Sequence, residues 1–583
     1  MANETYYVSK ESTNGYVVGN DTNNGLTKAT AFLTLDKGSD TCMLASGDVT
    51  MIINDGIFIG TDISTSNYWL IGANPAFDSL TIKPENANFV TIIPNSTVAL
   101  LRFNNATGWD NTKTVTIQDL ILGRSETSEG GLDPNYCIWT LGGATTAPTL
   151  NLTRITTKNH TVYAVYPGLT AKINIVITDL VHESNRNPGR AYYYSPTHSI
   201  GGLTINGGTI NHTRYNHAGF GIIYHDADTT GVTCNIDNLS INAGVNPPDV
   251  TADAIMYGMF IANIDDAVVH NSTVVLKQTA SGAGWGLHPI RMFGNDATLT
   301  AARQKIEKCT AISLGGNAPS GGGFGITIGG DGASRQDNVS DDSFILNCTF
   351  IGDAIYAANN GHGIGIVAND NCIVAGNTVS YADIGFLAKL TATNLFVGNL
   401  AFSCGGGPTS IFYYNKGGTN DDLFFNTVVI DINSDCTGFV AAIDGATNTT
   451  GLELKSNLIL VTADTTKKLI MINASQTATF DYNHFYVASG VSLPTNPCIY
   501  QSTSYATVTA WITARETNGI EITNNPVNND NTLKKGAVGV NGGDNTLVIN
   551  RISTGFNGEP FPLFDRDIGG APTTFGSFHP VNL

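Results

Sequence analysis

The stretch GHGIGIVANDNCIVAGNTVSYADIGFLAKL, residues 361–390, decides how this chain folds. Apolar runs at 363–367 and 372–374 flank the polar turn Asn369-Asp370-Asn371, and the pattern restarts at Ile384-Gly385-Phe386. Ile364 and Ile366 alternate with glycine. That is period two, the mark of a strand, not the 3.6 period of a helix. Strands this short do not hold on their own, so they must stack on copies of themselves.

Working outward, the copies are there. One strand series runs through 100–103, 137–140, 162–165, 192–194, 221–224, 255–257 and 286–288. It continues through 325–328, 364–367, 385–388, 411–414, 438–441 and 469–472. A second series follows each of these, from 115–120 to 478–486. The spacing varies from roughly 21 to 39 residues, which describes a coil with loops of unequal length. Asn271, Asn347, Asn377, Asn399, Asn426, Asn457 and Asn483 recur near one point of the second series. Stacked amides can hydrogen-bond from rung to rung at the ~4.8 Å strand spacing, so these asparagines read as structural.

Composition agrees with a coil. Only 13% of the 583 residues are charged, while 42% are hydrophobic. A chain rich in Gly, Asn and Thr draws its polarity from turn formers and hydroxyls. The net charge of −19 excludes nucleic acid and anionic membrane as default partners, because both need a basic face. A polyanionic polysaccharide fits only where cations gather in one groove. The nine cysteines form no metal-ligand spacing. Cys309, Cys348 and Cys372 lie inside apolar runs and read as small core residues. The N-terminus has no basic or apolar signal region, and no run approaches the ~20 apolar residues of a membrane helix. No Sec export and no membrane insertion are expected. Work outside a cell then requires lysis, a dedicated secretion system or assembly into a virus particle.

The ends of the chain carry a resemblance. YYVS at 6–9, GNDTNNGLTKATAFLTLDKG at 19–38 and LASGDVTMIINDGIF at 44–58 resemble the opening segment of right-handed parallel β-helix proteins of the pectate-lyase-like superfamily. Phe58 stands where that family often has Tyr. FDYNHFYV at 480–487, AWITARETNGIEITNNPV at 510–527, LKKGAVGVNGG at 533–543 and GFNGEPFPLFDRDIGG at 555–570 resemble, in order, pieces that close such coils. The resemblance implies an all-β, right-handed parallel β-helix solenoid with an N-terminal cap helix, expected over 30–38, and a C-terminal closing segment. The expected divisions are a cap at 1–60, the coil at 61–487 and the closing segment at 488–583. The cap covers a sheet edge that would otherwise recruit other chains. The superfamily holds lyases, hydrolases, epimerases, tailspikes and pure binding scaffolds, so the fold leaves function open.

In such coils the ligand groove lies along one sheet, where outward side chains of successive rungs converge. Alternation puts Arg102, Trp139, Tyr163, Tyr193, His225 and His288 outward, with His198, Asp226, Asp228 and Arg291 in or near the adjoining turns. The densest group is Tyr193, Tyr194 and His198, His225 to Asp228, and His288 to Arg291. Aromatics stack on sugar faces, so Trp139, Tyr193, Tyr194, His198 and His288 are the expected substrate-binding residues. His225, Asp226, Asp228 and Arg291 are the expected catalytic set. Paired carboxylates suit glycoside hydrolysis, while a His or Tyr base with Arg291 neutralising a uronate suits β-elimination. The plain alternative is that Tyr and His on a half-exposed sheet are ordinary strand formers.

Gly361-His362-Gly363 resembles the G-H-G of polygalacturonase-type hydrolases, with Asp341-Asp342 upstream. Those aspartates fall in the turn before the second series, out of phase with the G-H-G, so His362 reads as a turn residue. The Asp-rich stretch 331–342 offers oxygen ligands for Ca²⁺ but fits no calcium-loop template, and no cofactor is expected. The expected function is a virion-associated, tailspike-like homotrimer that binds cell-surface polysaccharide, held to a particle by an adaptor protein, with cleavage left open. Its location is then the virion or the extracellular space. A free polysaccharide lyase or glycoside hydrolase, and a non-catalytic structural or decoration protein, remain as alternatives.

Overall fold

The computed structural model describes residues 3–524 and 526, except 65–67, 88, 96, 105–107, 125–132, 142–145, 169–172, 185–189, 195–200, 216–220, 227–231, 246–253, 265, 279–284, 294–302, 315–322, 330–341, 354–360, 406–409, 435, 443–448 and 474. The fold is all-β, a parallel β-helix, and two helices of eight and ten residues complete the described elements with short 3₁₀ turns. The chain packs as two compact units, 1–250 with 256–282, and 251–255 with 283–583.

In the first unit, one sheet stacks Glu4–Val8, Gly47–Ile53, Phe77–Pro84, Thr114–Gln118, Thr149–Thr153, Asn174–Ser184, Leu203–Tyr215 and Thr233–Val245 in parallel. A second sheet stacks Trp69–Ile71, Ala99–Asn104, Tyr136–Leu141, Tyr163–Pro167, Arg190–Tyr194, Gly221–Asp226 and Ala254–Ala262. Inward Val, Ile and Leu such as Leu101, Ile138, Val165 and Ile223 are fully buried and form the core.

The cap sits later than the sequence suggests. Asp21 accepts hydrogen bonds from the backbone of Leu33 and Thr34 at 2.9 and 3.0 Å and from the Thr34 hydroxyl at 3.0 Å. That pins 31–33 as extended chain, so the helix runs over Leu35–Leu44 rather than 30–38. Thr34 caps it by accepting from the Lys37 amide. The helix buries Leu35, Cys42 and Met43. At Gly38 a Cβ would stand 2.6 Å from Val8 Cγ2, so only glycine allows this approach.

In the second unit, Trp285–Phe293, Phe324–Gly329, His362–Val367, Ile384–Lys389, Ile411–Lys416, Thr437–Ala442, Ile470–Ile472 and Cys498–Tyr500 stack in parallel. The expected single strands of the second series are pairs, such as Ile373–Ala375 with Thr378–Ser380 and Leu395–Val397 with Leu400–Phe402. A residue in the left-handed region turns the corner between them, for example Gly376 (φ 70°), Gly398 (φ 62°) or Phe425 (φ 57°). The next residue points inward and builds the ladder. The Asn377 amide nitrogens and the Asn399 side chain meet at 2.9 Å, and the same link repeats from Asn399 to Asn426, Asn457 and Asn483. Asn271 and Asn347, expected in this ladder, are instead corner residues at φ 48° and 52°. Cys348 takes the ladder position after Asn347, its amide donating to Asn377 Oδ1 at 2.8 Å.

The glycine alternation of 363–367 has a steric cause. A Cβ on Gly363 would lie 2.4 Å from Val379 Cγ1 and 2.7 Å from the Gly385 carbonyl oxygen. Ile364 and Ile366 between and beyond these glycines are fully buried. His362 opens the strand His362–Val367 and is not a turn residue. The helix Val508–Arg515 lies within the expected closing segment, while 533–543 and 555–570 lie outside the described residues. All nine cysteines are free and buried. Among the described residues no helix is long and apolar enough to cross a membrane.

Candidate functional site

The outer face of the second sheet in the first unit gathers aromatics in two columns. Strand register aligns Tyr136 with Tyr163, and Tyr163 with Arg190. Three residues further on, it aligns Arg102, Trp139 and Tyr166, and separately Tyr193, Tyr224 and Phe260. Each strand thus shows the outside an i, i+3 pair. The two residues between are buried, as at Cys137-Ile138 and Ala164-Val165.

The rings form one continuous stack. Tyr136 and Tyr163 lie 5.7 Å apart, Tyr163 and Tyr193 4.5 Å with planes 6° apart, Tyr193 and Tyr224 5.0 Å, and Tyr224 and Phe260 4.9 Å with planes 9° apart. Tyr166 joins the stack 5.0 Å from both Tyr136 and Tyr163. All are half-buried, so each keeps an accessible edge or face. Desolvation raises the phenol pKa of Tyr136, Tyr163 and Tyr224, and that of Tyr166 to about 12, so the face is uncharged at neutral pH.

Two arginines are set into this face. The Arg190 guanidinium lies 5.1 Å from the Tyr163 ring and 4.8 Å from the Tyr193 ring. That of Arg102 lies 4.0 Å from Tyr68 and 4.8 Å from Trp139. A guanidinium over a ring is attracted by the ring quadrupole, more strongly when desolvated. One carboxylate joins them. Asp226, 8% exposed, accepts from Asn263 Nδ2 at 2.8 Å and from the Tyr224 hydroxyl at 3.2 Å.

Of the residues expected from sequence, Trp139, Tyr193 and Asp226 stand on this face. His225 does not. It was expected outward, but Tyr224 takes the outward position and His225 turns into the core, fully buried, with Nδ1 3.3 Å from the Tyr192 hydroxyl. Burial lowers its pKa to about 3, so it stays neutral. Tyr194 is placed by its backbone alone, in Arg190–Tyr194. His198 and Asp228 lie outside the described residues. His288 and Arg291 belong to the second unit, on Trp285–Phe293. Tyr136, Tyr166, Tyr224, Phe260 and Arg190 were missed. The signal was present as YCIW, YAVY, RAYY, GIIY and YGMF, an i, i+3 motif in five successive strands. Among the described residues no group of His, Cys, Asp and Glu is arranged to hold a metal.

No protein-family model matches the chain, and no curated protein matches it in sequence. Among solved structures, it is similar to the A-module of a mannuronan C-5 epimerase from Azotobacter vinelandii, at 11% identity over 84% of this chain and 94% of that one, with a TM-score of 0.27. It is also similar to a lacto-N-biosidase from Eubacterium ramulus, at 11% identity over 86% and 67%, TM-score 0.24. XylC, solved with xylose, matches at 9% identity over 84% of each chain, TM-score 0.26. Likeness at this level transfers no residue's role to this chain.

Proposed function

We propose that the aromatic face of the first unit binds a polysaccharide. The observation that carries this is the unbroken stack from Tyr136 to Phe260, one ring or more per rung. Rungs repeat at ~4.8 Å, so the face is a linear array suited to a linear polymer of flat, partly apolar rings. A half-buried tyrosine supplies both contact area and a hydroxyl at low entropic cost, which suits a sugar with CH faces and OH rims. Arg102 and Arg190 orient the rings and offer donors to hydroxyl or carboxylate groups.

Within this reading the protein is a tailspike-like, virion-associated or otherwise extracellular glycan binder. The homotrimer and the particle adaptor are part of the proposal by resemblance. A cleaving version is favoured by one observation, the Asp226 carboxylate held between Tyr224 and Asn263 on the same face. A single carboxylate with a phenol is a plausible acid–base pair for elimination, whereas hydrolysis needs a second carboxylate. The test is a panel of bacterial capsular polysaccharides, read for binding and for release of reducing or unsaturated ends. Retention of at least one capsule supports the reading. Failure to retain any acidic or neutral glycan contradicts it. End release that survives Asp226→Asn contradicts the cleaving version alone.

A further inference from the structure

The second unit carries its own outward recess. On its sheet, register aligns Arg291 with Thr327, Thr327 with Gly365, and Gly365 with Leu387. The flanking Ile290, Met292, Ile326, Ile328, Ile364 and Ile366 fill the core, which leaves Arg291, Thr327 and Gly365 facing out. In the neighbouring column Phe324 packs between two histidines, 5.4 Å from His288 and 4.3 Å from His362. A Cβ on Gly365 would meet only ordinary contacts, 3.4 Å to Leu387 Cβ and 3.7 Å to Phe324 Cδ1, so the missing side chain leaves a hollow.

Polar groups in this hollow have no partner. Thr327 is 1% exposed, yet its hydroxyl makes no hydrogen bond, and neither does the buried His362 Nδ1. Leaving such groups buried and unsatisfied costs about 1–3 kcal/mol each, which asks for a ligand. The charges around them have one sign. Beside desolvation, the charged groups that act on His288 are Arg291 and His362, and those that act on His362 are Lys389 and Lys416. Lys389 and Lys416 are register partners on adjacent strands. The nearby Asp383 carboxylate is engaged by the Ser410 hydroxyl and by the charge of Lys467. This is a concentration of positive charge in a chain of net charge −19.

We propose that this recess binds a single oxyanion, the carboxylate, sulfate or phosphate substituent of an acidic sugar. Arg291 supplies the charge, and the Thr327 hydroxyl and His362 Nδ1 supply hydrogen bonds. The site is independent of the aromatic face of the first unit. The test uses the full chain and isothermal titration with glucuronate, inorganic sulfate, inorganic phosphate and glucose. Saturable binding of an anion, weakened about tenfold by Thr327→Val, is expected. Valine keeps the β-branched shape, so this variant folds. Gly365→Ala fills the hollow and lowers affinity as well. Tyr193→Ala leaves anion binding unchanged, which separates this site from the aromatic one. Glucuronate ahead of sulfate and phosphate identifies a sugar carboxylate, and the reverse order identifies the tetrahedral group. Equal affinity for glucose, no saturable anion binding, or no change in Thr327→Val overturns the proposal.

Discussion

Tyr224 and His225 are neighbours in sequence and face opposite sides of one strand. Tyr224 joins the outer stack, and His225 lies in the core. A buried histidine held neutral makes the fold acid-sensitive in a predictable window. The pKa values of His160 and His225 are lowered to about 3 and that of His484 to about 4, chiefly by desolvation. Their folded values lie below the unfolded 6.5, so the unfolded chain takes up protons first as pH falls. Stability from these groups is complete above pH 6.5 and is lost as pH falls toward 3. The melting temperature is therefore expected to drop steadily on acidification below about pH 6. A melting temperature constant from neutral pH to pH 4 contradicts the buried neutral histidines.

Among the elements, the asparagine ladder has a definite end. The Asn483 amide donates to Glu516 Oε2 at 2.9 Å, and Trp511 Nε1 donates to Glu516 Oε1 at 2.8 Å. Glu516 is the C-cap of Val508–Arg515, so the closing helix delivers the last ladder acceptor. Burial raises its pKa from 4.5 to about 7. Here the folded state holds the proton more tightly, so stability falls as pH rises from 4.5 to 7, by roughly 3 kcal/mol. Glu516→Gln removes this slope. The stability of the variant relative to the parent is expected to climb over that window, read by denaturant unfolding at several pH values. A flat difference sinks the assignment. Mid-ladder, Asn426 accepts from the Asn399 amide nitrogens and the Tyr413 hydroxyl and donates to Phe396 O and Asn457 Oδ1. Asn426→Ala strands these groups and is expected to cost about 3 kcal/mol or more. Asn271→Gly, at an exposed corner of φ 48°, is expected to change stability by no more than about 0.5 kcal/mol. Similar losses at both sites in the same unfolding assay contradict the ladder.

The same elements show what sequence can and cannot say. Alternation and recurrence at 361–390 were enough for the fold, because an inward Ile and a glycine at a close approach leave a period-two trace. The ladder was legible from Asn377 to Asn483. It failed at Asn271 and Asn347 because asparagine suits the left-handed corner as well as the ladder position beside it. The site was harder. Strict alternation assigns opposite faces to residues three apart, while these strands turn both Tyr163 and Tyr166 outward. That local departure hid half of the aromatic face and sent His225 to the wrong side.

For the molecule as a whole, the account assigns glycan binding to the first unit and oxyanion binding to the second. Light scattering is expected to give three times the 61.5 kDa chain mass if the tailspike-like assembly holds, and a monomer removes that part of the proposal only. The claim on which the function rests is the aromatic face. Its most direct test is the affinity of the full chain for a retained capsular oligosaccharide, measured by titration for the parent, Tyr193→Ala and Tyr224→Ala. Truncating a central aromatic anchor costs about 2 kcal/mol, so each variant is expected to bind roughly 30-fold more weakly with the melting temperature little changed. Unaltered affinity in both variants contradicts the account.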